Sequence, residues 1–133
     1  KAAGYLAAGL AEKPTDVEAV REYSRLMKRM DRTKVAADFL YSLVTGEELA
    51  VADTAHHAAL LYRQLNNLEM EEKALRRTLE YLPNHAGITF ELALNLHRQG
   101  EKQAARDMLQ RAIEKDPDAI MKQIERTGVK PGS

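Results

Sequence analysis

A repeat of 34 residues runs through this chain and restricts its possible folds more than any other feature. Pro83 and Pro117 lie 34 positions apart, and Pro14 precedes Pro83 by 69, which is two periods and one residue. Sequences with a period of this length build one supersecondary unit per copy, and neighbouring units stack to bury a shared apolar face. Apolar residues recur in the same register, as in the column formed by Leu6, Leu40, Leu75 and Leu109.

Each period is predicted to contain two helices joined by a tight turn. In the last copy, the apolar spacing predicts a first helix from about Gly87 to Gln99 and a second from about Lys102 to Lys115. Gly100 lies between them, where a chain leaving a helix needs a left-handed residue. Alanine and leucine, two of the strongest helix formers, make up over a quarter of the chain, and aromatic residues only 5%. The predicted fold class is therefore all-α.

The repeat register predicts a single domain over residues 1–127, followed by a flexible tail over 128–133. Residues 1–13 match the second helix of a copy whose first helix is missing, which indicates a piece of a longer array. The first full repeat lacks the proline, and Thr45 with Glu48 is predicted to cap a short extra helical turn there. Within the domain we expect a half repeat over 1–16, full repeats over 17–51, 52–85 and 86–119, and a capping helix over 118–127.

This helix–turn–helix unit resembles the tetratricopeptide repeat. The resemblance implies an α-α superhelix, a right-handed solenoid of antiparallel helix pairs. The middle copy departs from the family pattern at Glu71, where a small residue normally lets the two helices approach. Either this side chain reaches solvent or the helix pair is spread apart. The last copy carries the family's signature positions most fully, at Leu92, Ala93, Leu96, Gly100, Ala105, Leu109, Ala112 and Pro117.

The resemblance also implies a concave groove lined by the first helix of each repeat. Six of the fifteen groove positions carried over from the family are Lys or Arg, although the whole chain has a formal charge of +0. Phe90 is the strongest single indication of a binding groove, because a large aromatic side chain has little packing reason to lie there. The residues expected to line the groove are Arg21, Arg25, Lys28, Arg29, His56, Leu60, Arg63, Gln64, Phe90, Leu94, His97 and Arg98.

A groove with a basic end and an apolar end suits an acidic or amphipathic segment of another protein, since charge steers its approach and apolar burial holds it. In the alternative interpretation, the cations of the first full repeat form an ordinary solvated helix face. The sequence therefore predicts either a protein-binding scaffold or a structural spacer within a longer solenoid. Some family members hold chaperone C-termini with a clamp of Lys and Asn side chains at set groove positions. This sequence does not match the clamp, because the residues at those positions are Arg21, Arg25, His57, Gly87 and Glu91.

The composition disfavours several other functions. Lys+Arg (20) balance Asp+Glu (20), so bulk charge supports neither a nucleic-acid partner nor a membrane surface. No apolar run approaches the ~20 residues of a membrane span. The chain has no cysteine, no Gly-rich phosphate loop and no metal-ligand spacing among its 4 histidines, so we expect no enzyme activity, cofactor or metal.

An open end of the array could stack on a second copy, and analogy by fold favours a bacterial periplasmic or cell-envelope setting, including exopolysaccharide export.

Overall fold

The structure, a computed structural model, describes residues 2–13, 16–44 and 51–133. These residues form helices joined by short turns and contain no strand, which confirms the predicted all-α class. The extra helical turn predicted at Thr45 and Glu48 lies outside the described residues. The helices are α1 (Ala2–Glu12), α2 (Val17–Arg29), α3 (Thr33–Val44), α4 (Ala52–Gln64), α5 (Leu68–Tyr81), α6 (Ala86–Arg98), α7 (Lys102–Lys115) and α8 (Pro117–Thr127).

The turns inside the three complete helix pairs share one backbone geometry. Asp31, Asn66 and Gly100 all have a positive φ, of 57°, 56° and 83°. A left-handed residue at this place lets the next N–H satisfy a carbonyl that the helix end leaves free. The period seen in the sequence is therefore also a period of the backbone. The three equivalent hydrogen bonds run from Arg32 N–H to Met27 O (2.8 Å), from Asn67 N–H to Tyr62 O (2.9 Å) and from Glu101 N–H to Leu96 O (2.9 Å).

Aspartate side chains determine where two of the helices begin. Asp16 Oδ1 accepts a hydrogen bond from Ala19 N–H at 3.1 Å and so caps α2. Asp116 Oδ1 does the same for Ala119 N–H at 3.2 Å, with Pro117 at the first position of α8. Both arrangements satisfy backbone N–H groups that have no partner within the helix, and the fixed φ of proline suits a first helical position.

Lys1–Tyr81 form one compact unit. Within it α1 packs on α2, α2 on α3, α3 on α4 and α4 on α5, and α2 also contacts α4. The first helices of the two complete pairs are therefore neighbours, as they are in stacked repeats. The predicted grouping of every repeat into one domain over residues 1–127 stays a prediction. Close helix approach depends on small residues, since Ala36, Ala37, Ala55, Ala58, Ala59 and Ala74 are all fully buried.

A part-buried hydrogen bond ties α3 to α4 in this unit. Tyr62 Oη donates to Asp38 Oδ1 at 2.6 Å, and Tyr62 is only 1% exposed. Lys34 Nζ donates to the other carboxylate oxygen of Asp38 at 2.7 Å. The hydrogen bonds from Lys34 and Tyr62 hold the pKa of Asp38 below its usual value. Burial and the neighbouring carboxylate raise the pKa of Tyr62.

The variant Tyr62→Phe is expected to unfold with about 1.5 kcal/mol less free energy at neutral pH, because a hydrogen bond to a charged group is lost. Since the folded state lowers the pKa of Asp38, this group stabilises the fold above its unfolded pKa. The contribution disappears as the pH falls through the folded pKa, so the deficit of the variant should shrink toward acid pH. Urea unfolding followed by circular dichroism across this pH range checks both points. Tyr5→Phe, at an 80% exposed side chain, is the control; a deficit of the same size at every pH would contradict the assignment.

Leu82–Ser133 form a second compact unit. In this unit α6 packs along α7, and α8 contacts both helices. Lys115 Nζ, at the end of α7, donates to Pro83 O at 2.7 Å and to Thr89 Oγ1 at 3.0 Å. These bonds tie the end of α7 to the start of α6. Ile120 of α8 is fully buried, so α8 adds its own side chain to the core of the unit.

Residues 128–133, predicted to form a flexible tail, lie partly against α6 and α7. Pro131 and Gly132 are buried, and Gly132 N–H donates to His97 Nδ1 of α6 at 3.1 Å. Gly132 has φ +86°, and a Cβ placed on it would lie 2.2 Å from Arg106 Cγ and 2.9 Å from Arg106 N. Glycine and proline suggest mobility in a sequence, but here the missing Cβ is what lets the backbone lie directly against α7.

Candidate functional site

A row of cations on α2 faces a cavity in the first unit. Arg21, Arg25 and Lys28 are spaced four and three residues apart, which places their side chains on one face of the helix. All three line a cavity of about 230 Å³ between α2 and α4, which we call the α2–α4 cavity. Its other wall belongs to α4, where the same helical spacing brings together His57, Leu60, Leu61 and Gln64.

The α2–α4 cavity is electropositive with one apolar wall. Its lining, as far as the described residues show, includes three cations and no carboxylate. Glu18 and Glu22 lie beside Arg21 and Arg25 on the N-terminal part of α2, where they line a neighbouring depression. Leu61 is 4% exposed and belongs to the core beneath the cavity. A ligand entering here therefore meets positive charge on one side and leucine side chains on the other.

Ser24, a residue of the cavity wall, carries a buried hydroxyl group. Ser24 lines the cavity between the cations and is only 8% exposed. Its Oγ has no hydrogen-bond partner among the described residues. Buried hydroxyl groups are nearly always hydrogen-bonded, because leaving one unpaired costs about 1–3 kcal/mol. The repeat pattern explains why a small residue stands at this position, but it does not explain why that residue is a serine.

The histidine beside the α2–α4 cavity is His57, whereas the repeat register predicts His56. Consecutive helical residues differ in direction by about 100°, so a register error of one residue changes which side chain reaches a surface. His57 Nδ1 lies 3.0 Å from the backbone oxygen of Asp53 and 3.3 Å from Asp53 Oδ2. His56 is half-buried on another side of α4.

Arg63 forms an ion pair with a buried residue between α4 and α5, whereas the sequence predicts that it lines the groove. Its Nε–H donates to Glu71 Oε2 at 2.7 Å, and the Glu71 side chain is 0% exposed. Both expectations for Glu71 are therefore wrong: its carboxylate does not reach solvent, and α4 and α5 pack as extensively as α6 and α7. A carboxylate is accommodated in place of a small residue because the arginine compensates its charge.

A second cavity, of about 460 Å³, lies between α1 and α2. Arg29, predicted to face the same groove as the other cations, lines this cavity instead, and Arg25 lines both. Glu22 also lines it and partly offsets the two positive charges. Tyr5 at its wall is 80% exposed. The basic residues of α2 are therefore divided between two sides of the helix.

In the second unit, two of the four groove residues predicted on α6 are buried. Phe90 is 1% exposed and Leu94 is 8% exposed, so the idea that Phe90 has no packing role is wrong. A helix that is apolar around most of its circumference is buried on most sides, and both α7 and α8 contact α6. His97 is half-buried and bonded to Gly132, whereas Arg98 is exposed.

The part of the chain that the structure describes has neither a membrane-spanning helix nor a cluster of metal ligands. None of its helices combines the length and the apolar character that crossing a bilayer requires. Over 2–13, 16–44 and 51–133, no three His, Asp or Glu side chains come together in a way that could hold a metal ion. The α2–α4 cavity, with its cations and its leucines, is the candidate binding site of the first unit.

The helix order and the repeated turns define an all-α fold of the helical-repeat superhelix class, and two solved structures share it. "MamA RS-1 ArsTM double mutant" has a TM-score of 0.64 and 16% sequence identity, over 88% of this chain and 65% of that one, just under two thirds of its length. "Crystal structure of MamA" has a TM-score of 0.64 and 17% identity, over 92% of this chain and 75% of that one. At such identities the likeness shows the fold alone. No protein-family model and no curated protein sequence matches this chain.

Proposed function

We propose that this chain is a non-enzymatic protein-interaction scaffold of tetratricopeptide type, which docks a segment of a partner protein along α2 and α4. The observation that carries this proposal is the α2–α4 cavity, where three cations face two leucines. An acidic amphipathic segment fits such a surface, because its carboxylates meet the cations and its apolar side chains cover the leucines. The helical-repeat fold shared with the two MamA structures supports a scaffold role in general.

The proposed site is smaller than the groove predicted from the sequence. Most of its residues come from that prediction, and His57, Leu61 and Ser24 are added by the geometry of the cavity. Arg63 is excluded because it compensates the charge of buried Glu71. The predicted residues that remain in the site are Arg21, Arg25, Lys28, Leu60 and Gln64.

The double variant Arg21→Glu with Arg25→Glu tests this proposal. The probe is a synthetic amphipathic peptide with alternating glutamate and leucine positions, and a second peptide carries lysine in place of glutamate. We expect wild-type protein to bind only the glutamate peptide, and the double variant to lose at least about tenfold in affinity because charge complementarity is reversed. Isothermal titration calorimetry measures both affinities, and circular dichroism establishes that the helices are retained.

A matched control reverses two arginines outside the proposed site. Arg111 and Arg126 are exposed residues of α7 and α8, and Arg111→Glu with Arg126→Glu changes the net charge by the same amount. This control should bind the glutamate peptide as wild type does. Equal losses in the two double variants would show that net charge alone drives binding, and would contradict the proposed site.

The alternative from the sequence, a structural spacer in a longer solenoid, predicts that neither peptide binds. A bacterial cell-envelope setting and a role in exopolysaccharide export depend on fold analogy alone and stay predictions. The same holds for stacking between copies and for the absence of a nucleic-acid partner.

A further inference from the structure

We infer that His57 makes the α2–α4 cavity sensitive to pH, so that protonation of its imidazole strengthens the binding of an acidic partner segment. This inference rests on the proposed function and adds a regulation of the same site. Two observations carry it. His57 lines the cavity together with three cations, and a buried carboxylate oxygen of Asp53 lies 3.3 Å from its Nδ1. Histidine is the side chain whose charge ordinarily changes between about pH 5 and 8.

The contacts with Asp53 determine which nitrogen of the His57 ring takes up a proton. Nδ1 lies 3.0 Å from the backbone oxygen of Asp53 and 3.3 Å from its Oδ2. A carbonyl oxygen and an ionised carboxylate oxygen only accept hydrogen bonds, so the neutral ring carries its hydrogen on Nδ1. The proton that charges the ring therefore binds at Nε2, and the contact through Nδ1 is kept in both forms.

The carboxylate of Asp53 stabilises the charged ring at the cavity wall. Its Oδ2 is buried and has no hydrogen-bond partner among the described residues. The approach of His57 Nδ1 to this oxygen becomes an ion pair only when the imidazole is protonated. The side chain of His57 is 19% exposed, so salt and water screen this attraction less than they would at an open surface.

The cations of α2 act on the ring in the opposite direction. The charged residues that line the cavity from this helix are Arg21, Arg25 and Lys28, and α3 and α5 contribute nothing to its described lining. The two glutamates nearby on α2, Glu18 and Glu22, line the neighbouring depression instead. A partner carboxylate entering the cavity offsets the repulsion between these cations and a protonated ring. Protonation of His57 and binding of an acidic segment therefore favour each other, and thermodynamic linkage makes the two effects equal in size.

Binding of the amphipathic glutamate peptide at two pH values tests this inference. We expect the wild-type protein to bind it about fivefold more tightly at about pH 5.5 than at about pH 8, the size of a modest coupling between two sites. Isothermal titration calorimetry measures both affinities. The glutamates of the peptide lose their charge only near about pH 4.3, and that loss would weaken binding, so it cannot produce the expected change.

The variant His57→Gln isolates the imidazole, because glutamine is polar but does not titrate. We expect the ratio between its affinities at the two pH values to fall to about one. His56→Gln is the matched control, since it removes the neighbouring histidine, which is not among the described residues that line the cavity. This control should keep the fivefold ratio. Circular dichroism at both pH values establishes that the helices are retained.

A measurement on the wild-type protein makes the test independent of how the variants fold. The ring-proton resonances of the histidines are followed against pH by NMR, without peptide and with saturating peptide. By reciprocity, the midpoint of the His57 titration should move to a pH higher by about 0.7 when the peptide is bound, which is the same fivefold coupling. His85, in the second unit, should titrate alike in both samples.

A His57 titration that the peptide leaves unchanged would overturn this inference, and so would weaker binding at the lower pH. Equal losses of pH dependence in the His56 and His57 variants would attribute the effect to the net charge of the protein, and would overturn it as well. In each of these cases the Arg21/Arg25 double variant still decides the proposed function separately. A glutamate peptide that binds wild type at neither pH would remove the proposed function and this inference together.

Discussion

Arg63→Ala is expected to lower the free energy of unfolding by about 3 kcal/mol, since it leaves the Glu71 carboxylate buried without its cation. The side chain of Glu71 is 0% exposed, and its Oε2 lies 2.7 Å from Arg63 Nε. Removing one member of a buried ion pair costs more than the pair itself contributes, because the remaining charge keeps its desolvation penalty and loses the attraction that offset it. Urea unfolding followed by circular dichroism measures the change.

Two controls separate the buried pair from ordinary surface effects. Arg76→Ala breaks the exposed ion pair with Glu72, at 2.8 Å on the same helix pair, and should cost less than about 1 kcal/mol. Replacing Arg63 and Glu71 together with methionine removes both charges, and should recover most of the stability that Arg63→Ala loses. A loss in Arg63→Ala as small as that in Arg76→Ala would mean that Glu71 reaches water.

Phe90→Ala is expected to lower the free energy of unfolding by about 3–5 kcal/mol, because it empties the space of a large core side chain. Phe90 is 1% exposed on α6, where seven further residues are also buried. A groove residue would behave differently, since its removal would weaken partner binding and leave stability almost unchanged. Thermal or urea unfolding of the purified variant therefore distinguishes a packing role from a binding role.

The controls for this variant lie at the same position and on the same helix. Phe90→Leu keeps most of the apolar volume and should cost less than about 1.5 kcal/mol. Arg98→Ala, at an exposed position of α6, should stay within about 0.5 kcal/mol of wild type. If Phe90→Ala matched Arg98→Ala, the burial of the ring would contribute nothing and the groove interpretation of Phe90 would return.

The helices and turns could be predicted because their signals are local. The spacing of apolar residues predicts α7 from Lys102 to Lys115, and the structure has the same bounds. Gly100 was expected to leave its helix in a left-handed conformation, and its φ is 83°. The cations of α2 were also found from the sequence, since the family's groove positions place Arg21 and Arg25 on the first helix of a repeat.

The candidate site was predicted less completely, because its residues meet across helices. One residue of register separates His56 from His57, and the repeat alignment does not resolve a difference that small. Phe90 and Leu94 occupy groove positions in the repeat but are buried in this unit. Ser24 had no signal as a residue of the cavity wall, since the pattern at that position asks only for a small side chain.

The sequence by itself determined the all-α class, the 34-residue period and the places where the chain turns, because each depends on residues within one or two helical turns of one another. Only the tertiary structure decided which polar groups pair and which cavity the cations face. The hydrogen bond from Tyr62 to Asp38 joins residues 24 positions apart, and the one from Arg63 to Glu71 spans 8. Such contacts depend on how two helices are rotated and spaced against each other, and this geometry arises from packing over the whole interface.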